Sequence, residues 1–136
     1  MINIPICRAK KIDSDEYIEG YLMGVVQEDN LCSIREQNAD YIGGDICILT
    51  TLAIHFPNML DIQGNKIFAS LSEDGKGGDI VKIKTSISNC EAFYYFDNEA
   101  MSIRLFEMSK SHMTWEYGIT LDYDGNPTKK VIGIQE

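Results

Sequence analysis

The sequence predicts a mostly β protein with little helix, and three observations support this fold class. Trp115, Tyr117, Ile119 and Leu121 alternate with polar or small residues, which is the period of a half-buried strand. Short apolar runs are separated by turns rich in Gly, Asn and Asp. No window carries apolar residues at helical spacing over the length of a helix. We expect at most one or two turns of helix, around Ser109–Met113.

The N-terminal half reads as a hairpin with flanking strands. Residues 4–9 form a short apolar run, and residues 17–35 read as two strands joined by a turn at 28–30. Residues 46–54 are apolar and β-branched and predict a strand or an extended segment, which Pro57 prevents from continuing. In the first hairpin strand apolar residues fall on both sides, so we expect both of its faces to be partly covered.

A Gly-rich loop at 72–78 divides the chain into two halves, and its composition predicts that it is the most flexible loop. A turn at 61–65 and a strand over 66–71 precede the loop. Five short strands follow it, predicted over 79–85, 90–96, 100–108, 115–121 and 130–134. This density of short strands is typical of a small SH3-like barrel. We therefore predict an N-terminal β-rich subdomain (1–77), built on a β-hairpin region, packed on a C-terminal SH3-like barrel (78–136).

The charge of the chain argues against direct nucleic-acid binding. The net charge is −9, and the stretch 61–84 is neutral, with four acidic and four basic residues. A phosphate-binding surface would need a basic excess. The first residues lack the apolar core of a signal peptide, and no apolar run is long enough to span a membrane. We expect a cytoplasmic protein whose four cysteines are reduced.

Two segments imitate ligand loops and fail in detail. Gly75–Gly78 contains Gly-Lys, but Gly follows the lysine where a phosphate-binding loop requires Ser or Thr and then a helix. Asp122–Asn126 resembles the start of a calcium loop, but Pro127 and Gly133 stand where that loop needs Gly and a bidentate Glu. A turn explains each segment better.

The remaining candidates for chemistry are isolated residues. His55 and His112 are the only histidines, and neither has a second metal ligand at hairpin or helical spacing. Glu73 and Asp74 lie in the Gly-rich loop and Asp79 follows it; they could serve acid/base chemistry, but solvation explains the loop carboxylates better and a backbone bond in the turn explains Asp79 better. The aromatic residues of the C-terminal half suit a core, with binding of a Pro-rich peptide as the alternative; they are Tyr94, Tyr95, Trp115 and Tyr117. We predict no catalytic residue, no cofactor and no metal.

The central stretch resembles the YopX family of small phage and prophage proteins. That family's central phrase runs roughly Q-Y-T-G-L-x-D-x-x-G-x-x-I-Y-x-G-D-I-V. The matching residues here are His55, Phe56, Asp61, Gly64, Phe68, Gly78 and Asp79. Arg8-Ala9, Glu19-Gly20-Tyr21 and the closing Val131–Ile134 fit as well. Two features differ: the Trp that follows Arg-Ala in the family is absent, and residues 69–77 form an insert.

The resemblance implies a mostly β protein of a mobile element, located in the host cytoplasm, and it implies no activity. From it we predict a protein-binding module that forms homo-oligomers, with the matching residues as candidate interaction or motif positions. The first alternative is an acidic mimic of DNA that blocks a host nucleic-acid-binding protein, which rests on the net charge alone. The second alternative is an enzyme of unknown class. The sequence does not identify a partner.

Overall fold

The computed structural model describes residues 4–40, 43–84, 89–107, 115–116 and 128–136. Several sequence predictions fall outside these residues, namely the helical turn at Ser109–Met113, His112, Tyr117 and the loop 122–127. Of Trp115 and Glu116 only the backbone is described.

The chain is mostly β, as predicted, and its short helical segments are two single 3-10 turns within the described residues. The strands are β1 (Ile6–Lys10), β2 (Tyr17–Val26), β3 (Leu31–Glu36), β4 (Asp45–Ile48), β5 (Ala53–His55), β6 (Ala69–Ser70), β7 (Asp79–Lys84), β8 (Asn89–Asp97), β9 (Ser102–Glu107), β10 (Trp115–Glu116) and β11 (Thr128–Ile134). The 3-10 turns are Gln27–Asp29 and Leu49–Thr51.

One curled sheet joins these strands in the order β10-β9-β8-β6-β5-β1-β2-β3-β4, and β7 pairs with β8 and β11 beside that path. Except for the parallel contact between β6 and β8, the pairings are antiparallel. At one end the sheet curls back on itself, because Lys11 pairs with Cys47 of β4. The predicted hairpin over 17–35 is confirmed as β2 and β3.

Two apolar clusters lie inside the curled sheet. The N-terminal core consists of Cys7, Ala9, Ile18, Cys32, Ile34, Cys47 and Leu52. The C-terminal core consists of Ile67, Ala69, Val81, Ile83, Ala92, Tyr94, Phe96 and Leu105. Ile54 and Leu71 pack against both cores, so the two clusters meet at β5 and β6. The boundary at residue 77 and the SH3-like form of the C-terminal part stay predictions.

Two strand predictions were wrong in detail. The strand or extended segment expected over 46–54 is broken by the 3-10 turn Leu49–Thr51. The Thr51 hydroxyl donates to the carbonyl of Ile48 and accepts from the amide of Lys10, which holds this turn against β1. The strand expected over 66–71 is reduced to Ala69–Ser70, because Lys66 forms only an isolated bridge with Leu60.

Candidate functional site

Three of the residues that carry the family resemblance lie close together near the contact between the two cores, whereas Asp61 and Gly64 lie in a separate turn. His55 ends β5, Phe68 directly precedes β6, and Asp79 begins β7. Arg8, from the middle of β1, lies against them. These residues come from separate strands, and the curl of the sheet brings them together.

A buried ion pair between Arg8 and Asp79 lies at the centre of this group. Arg8 Nη2 is 2.9 Å from Asp79 Oδ1, and only 8% and 2% of the two side chains are exposed. The guanidinium also donates to the carbonyl of Gly77 at 2.8 Å and lies 4.4 Å from the centre of the Phe68 ring. Arg8 Nε is buried without a hydrogen-bond partner among the described residues.

Asp79 joins β7 to the segment before β6 through both its backbone and its carboxylate. Its Oδ2 accepts a hydrogen bond from the amide of Phe68 at 2.8 Å, and its own amide donates to the carbonyl of Phe68 at 3.0 Å. Burial raises the pKa of Asp79, although the charge of Arg8 and the Phe68 amide oppose that rise. The side chain therefore has a structural explanation in full: it pairs a buried cation and closes a turn.

The Gly-rich loop before β7, which the sequence predicts to be flexible, is closely packed. Gly75, Gly77 and Gly78 are buried. A Cβ at Gly77 would lie 2.0 Å from the carbonyl oxygen of Thr51, and φ of Gly77 is +82°. The Gly77 amide donates to the carbonyl of Gln135, and the Gln135 amide donates to the carbonyl of Gly78. Glycine is needed here for close contact with neighbouring backbone.

His55 is a buried residue of the core boundary. Its Nδ1 lies 3.1 Å from the carbonyl oxygen of Ile67, which fixes the ring orientation, and the ring is tilted against Phe68 at 5.6 Å. The neighbouring Phe56 packs edge-on against Phe96 at 5.2 Å. Within the described residues no group of three or more His, Cys, Asp or Glu side chains is arranged to hold a metal ion.

Asp61 organises the turn that follows β5. Its Oδ1 accepts from the amides of Gln63 and Asn65, and its Oδ2 accepts from the Asn65 side chain and from the amide of Val131 in β11. Burial alone would raise the pKa of Asp61, but these four hydrogen bonds lower it overall. Gly64, at φ +84°, forms the tip of the turn as predicted from its residue type. The bond to Val131 attaches the turn to β11.

The carboxylates of the Gly-rich loop serve the loop itself. Asp74 Oδ1 accepts from the amide of Lys76 at 3.0 Å and from the hydroxyl of Ser72 at 2.7 Å. These two hydrogen bonds lower the pKa of Asp74, and the bond from the Lys76 amide has the larger effect. Ser70 is fully buried and donates to the carbonyl of Lys76. Asp74 therefore acts as a turn former, which agrees with the simpler of the two sequence interpretations.

The sequence analysis missed the most unusual surface of the described residues, the outer half of β2. All six residues from Tyr21 to Val26 are exposed, including Met23 at 54% and Val26 at 47%. The expectation that both faces of this strand are partly covered is wrong for this half. β1 pairs with β2 only from Tyr17 to Gly20, so no described strand pairs with the far edge of 21–26. We call residues 21–26 the open edge.

The outer face of the hairpin continues the apolar surface of the open edge. Val26 lies opposite Leu31, and Leu31 lies opposite Ile48 of β4. Two register positions further along, Ile46 lies opposite Ser33 and is 47% exposed. One signal was visible in the sequence: residues 20–27 carry no charge in a strongly acidic chain.

The comparisons with known proteins returned nothing: no family model, no curated protein and no solved structure matches this chain. The helical segments in the described part of the chain are too short to cross a membrane.

Proposed function

We propose that this chain is a YopX-like phage or prophage protein that acts by binding proteins rather than by catalysis, and that the open edge is its binding surface. The observation that carries the proposal is that residues 21–26 combine exposed apolar side chains with a strand edge that no described strand pairs with.

An exposed strand edge offers alternate backbone N–H and C=O groups to any extended segment that can lie beside it. Proteins commonly protect such edges with charged side chains or with a covering segment. Two other edges are covered in this way. The turn at Asp61 bonds to β11 through Val131, and Ile62 donates to the carbonyl of Lys129. At β4, Ile12 donates to the carbonyl of Ile46.

The residues of the family resemblance support the non-catalytic part of the proposal. Asp79 is engaged with Arg8 and Phe68, Asp61 is engaged with four donors, and His55 faces a backbone carbonyl. Each therefore has a structural role that accounts for its position. A binding function, by contrast, requires a surface, and the open edge supplies one.

The test is affinity capture of the tagged full-length protein from bacterial lysate, at low and at high salt, compared with two variants. Val25→Lys places a charge on the open edge, and Ile62→Lys places the same charge on an exposed turn elsewhere. We expect bound proteins that survive high salt with the parent and with Ile62→Lys and that are lost with Val25→Lys. Bound proteins that Val25→Lys retains would contradict the proposed surface. Proteins that bind nucleic acid and are lost at high salt would favour the DNA-mimic alternative instead.

A further inference from the structure

We infer that Cys32 and Cys47 are a site of reversible oxidation, at which a low-molecular-weight disulfide converts the two thiols into a cross-strand disulfide between β3 and β4. The fold gathers three of the four cysteines of the chain in the N-terminal core. They are Cys7, Cys32 and Cys47, which are buried as free thiols and come from three different strands. The inference concerns this core and does not depend on the open edge.

Cys32 and Cys47 lie directly opposite each other in the antiparallel pairing of β3 with β4. Two positions away in the same register, the amide of Leu49 donates to the carbonyl of Asn30. Hydrogen-bonded pairs alternate with non-hydrogen-bonded pairs along an antiparallel ladder, so the two cysteines form a hydrogen-bonded pair, whose Cα atoms are about 5.5 Å apart. This separation lies within the range that disulfides adopt, about 4.4–6.8 Å.

The side chains limit the stability of such a bond. The Cys47 thiol donates to the carbonyl of Asp45 at 3.6 Å, so it has to rotate before the two sulfurs can meet. Cβ atoms of directly opposite residues are about 4.5–5.5 Å apart, and a disulfide needs about 3.5–4.5 Å. β4 has four residues and ends the strand order, so it can shift more easily than a central strand. Because a strained disulfide is more easily reduced, we expect a reversible bond.

Cys7 is the competing thiol of the same core, and the register does not favour it. Its partners across the neighbouring strands are Gly20 in β2 and Ile54 in β5. Neither of those strands carries another cysteine of the core. The fourth cysteine, Cys90, packs against the C-terminal core instead. The strand register therefore selects one pairing from the three that the core thiols allow.

The reaction is thiol–disulfide exchange, with oxidised glutathione as the oxidant in the test. The Cys47 thiolate attacks one sulfur of oxidised glutathione, which breaks its S–S bond, forms a mixed disulfide and releases one reduced glutathione. The Cys32 thiolate then attacks the Cys47 sulfur and releases the second reduced glutathione. Each cysteine gives its proton to solvent, and each released glutathione thiolate takes one up. Two protein thiols are thereby oxidised, and one small disulfide is reduced to two thiols.

The measurement is designed so that access to the buried thiols does not limit it. Because burial raises the pKa of the Cys47 thiol to about 12, exchange in the folded protein requires β4 to separate from β3. The reduced protein is therefore refolded from urea into a buffer of oxidised and reduced glutathione and left to equilibrate. A parallel sample stays in urea. Both samples are quenched with acid, alkylated and digested, and mass spectrometry quantifies the three possible disulfides of the core.

The sample in urea supplies the reference for pairing without a fold. In an unfolded chain the shorter loop alone favours Cys32 with Cys47, 15 residues apart, over Cys7 with Cys32, 25 residues apart, by about twofold. We expect at least a tenfold preference in the refolded sample, with the β-type circular dichroism spectrum retained. The same ratio in both samples, glutathione adducts without the cross-link, or loss of the β-type spectrum on oxidation would overturn the inference.

Matched variants locate the bond within the fold. Cys47→Ala should abolish the cross-link, whereas Cys7→Ala, which removes a buried thiol of the same core, and Cys90→Ser, which lies outside that core, should leave its yield unchanged. Circular dichroism confirms that each variant is folded. An excess of reduced glutathione should return the oxidised parent to the dithiol. Loss of the cross-link in Cys90→Ser and in folded Cys7→Ala, or a bond that resists reduction, would contradict the inferred site.

Discussion

Breaking the Arg8–Asp79 pair should cost far more stability than breaking an exposed pair. Asp79→Asn removes the negative charge but retains an oxygen that can accept from the Phe68 amide. Arg8 then remains almost fully buried without a counter-charge. Removing one partner of a buried ion pair typically costs about 3–5 kcal/mol. We expect that loss, which corresponds to a fall in Tm of roughly 10–20 °C for a chain of this size.

The double variant Arg8→Met with Asp79→Asn distinguishes the pair from its separate members. With both charges gone, no buried charge is left unpaired, so the double variant should cost less than either single change. The assay is urea unfolding followed by circular dichroism, with all four proteins of the cycle. Additive costs, in which the double variant loses the sum of the single losses, would refute the reasoning.

The matched control is the exposed pair of Lys66 and Glu19, whose side chains are 42% and 45% exposed. The cycle of Lys66→Met and Glu19→Gln should give a coupling below about 1 kcal/mol. The pH gives a further readout. Because the folded pKa of Asp79 is raised, the folded state gains its proton first as the pH falls. The loss caused by Arg8→Met should therefore shrink on acidification from neutral pH, and a loss that grows would contradict this sign.

Three further predictions concern the turns and the thiols. Gly77→Ala should lower the free energy of unfolding in urea by about 2–4 kcal/mol, because Gly77 has a positive φ and lies against a backbone carbonyl. Gly133 has open space around it, so Gly133→Ala should lower the free energy of unfolding by less than about 1 kcal/mol. Equal losses in the two variants would contradict the packing argument. Asp61→Asn should lower stability at pH 7 by about 1–3 kcal/mol. Because the folded pKa of Asp61 is lowered, that difference should begin to shrink as the pH falls below about 4 and be lost only below the lowered folded pKa. Thermal unfolding at each pH measures the difference, and a difference that stays constant at low pH would contradict the prediction. Burial raises the pKa of Cys7 and Cys32 to about 11 and of Cys47 to about 12. At pH 8 iodoacetamide should therefore modify these thiols only after the protein unfolds, and mass spectrometry measures the modification. Modification of the folded protein within minutes would contradict this prediction.

Local pattern was sufficient to predict the hairpin and most strand positions. β2 and β3 followed from two apolar runs separated by a polar turn, and Asn30 takes the positive φ of +56° that asparagine tolerates in such a turn. β7 and β8 followed from their alternation and composition, and they pair in register from Ile80 opposite Phe93. These elements are specified by residues close together in sequence, which is why the sequence alone predicts them.

Tertiary contacts decided the features that the sequence did not predict. The segment 46–54 has the composition of one strand, but the amide of Leu49 donates to the carbonyl of Asn30, and the Thr51 side chain bonds to β1. These distant partners favour a 3-10 turn over a continuous strand. The ion pair of Arg8 was likewise not predictable, because its partners Gly77 and Asp79 lie about half a chain away. The exposure of β2 was missed because β1 ends opposite Gly20, which no local pattern indicates.

The position of the family-like residues bears on where the function lies. Arg8, Asp61 and Asp79 each bond to a distant segment, and each bond is mostly buried. The contribution of these residues to the stability of the fold is sufficient to explain their residue types. The open edge has the opposite character, because its apolar side chains are exposed and no described strand pairs with its far side. Exposed apolar surface that does not serve the fold indicates a site of association, so variants of the open edge should alter binding while leaving unfolding almost unchanged, and variants of the ion pair should do the reverse.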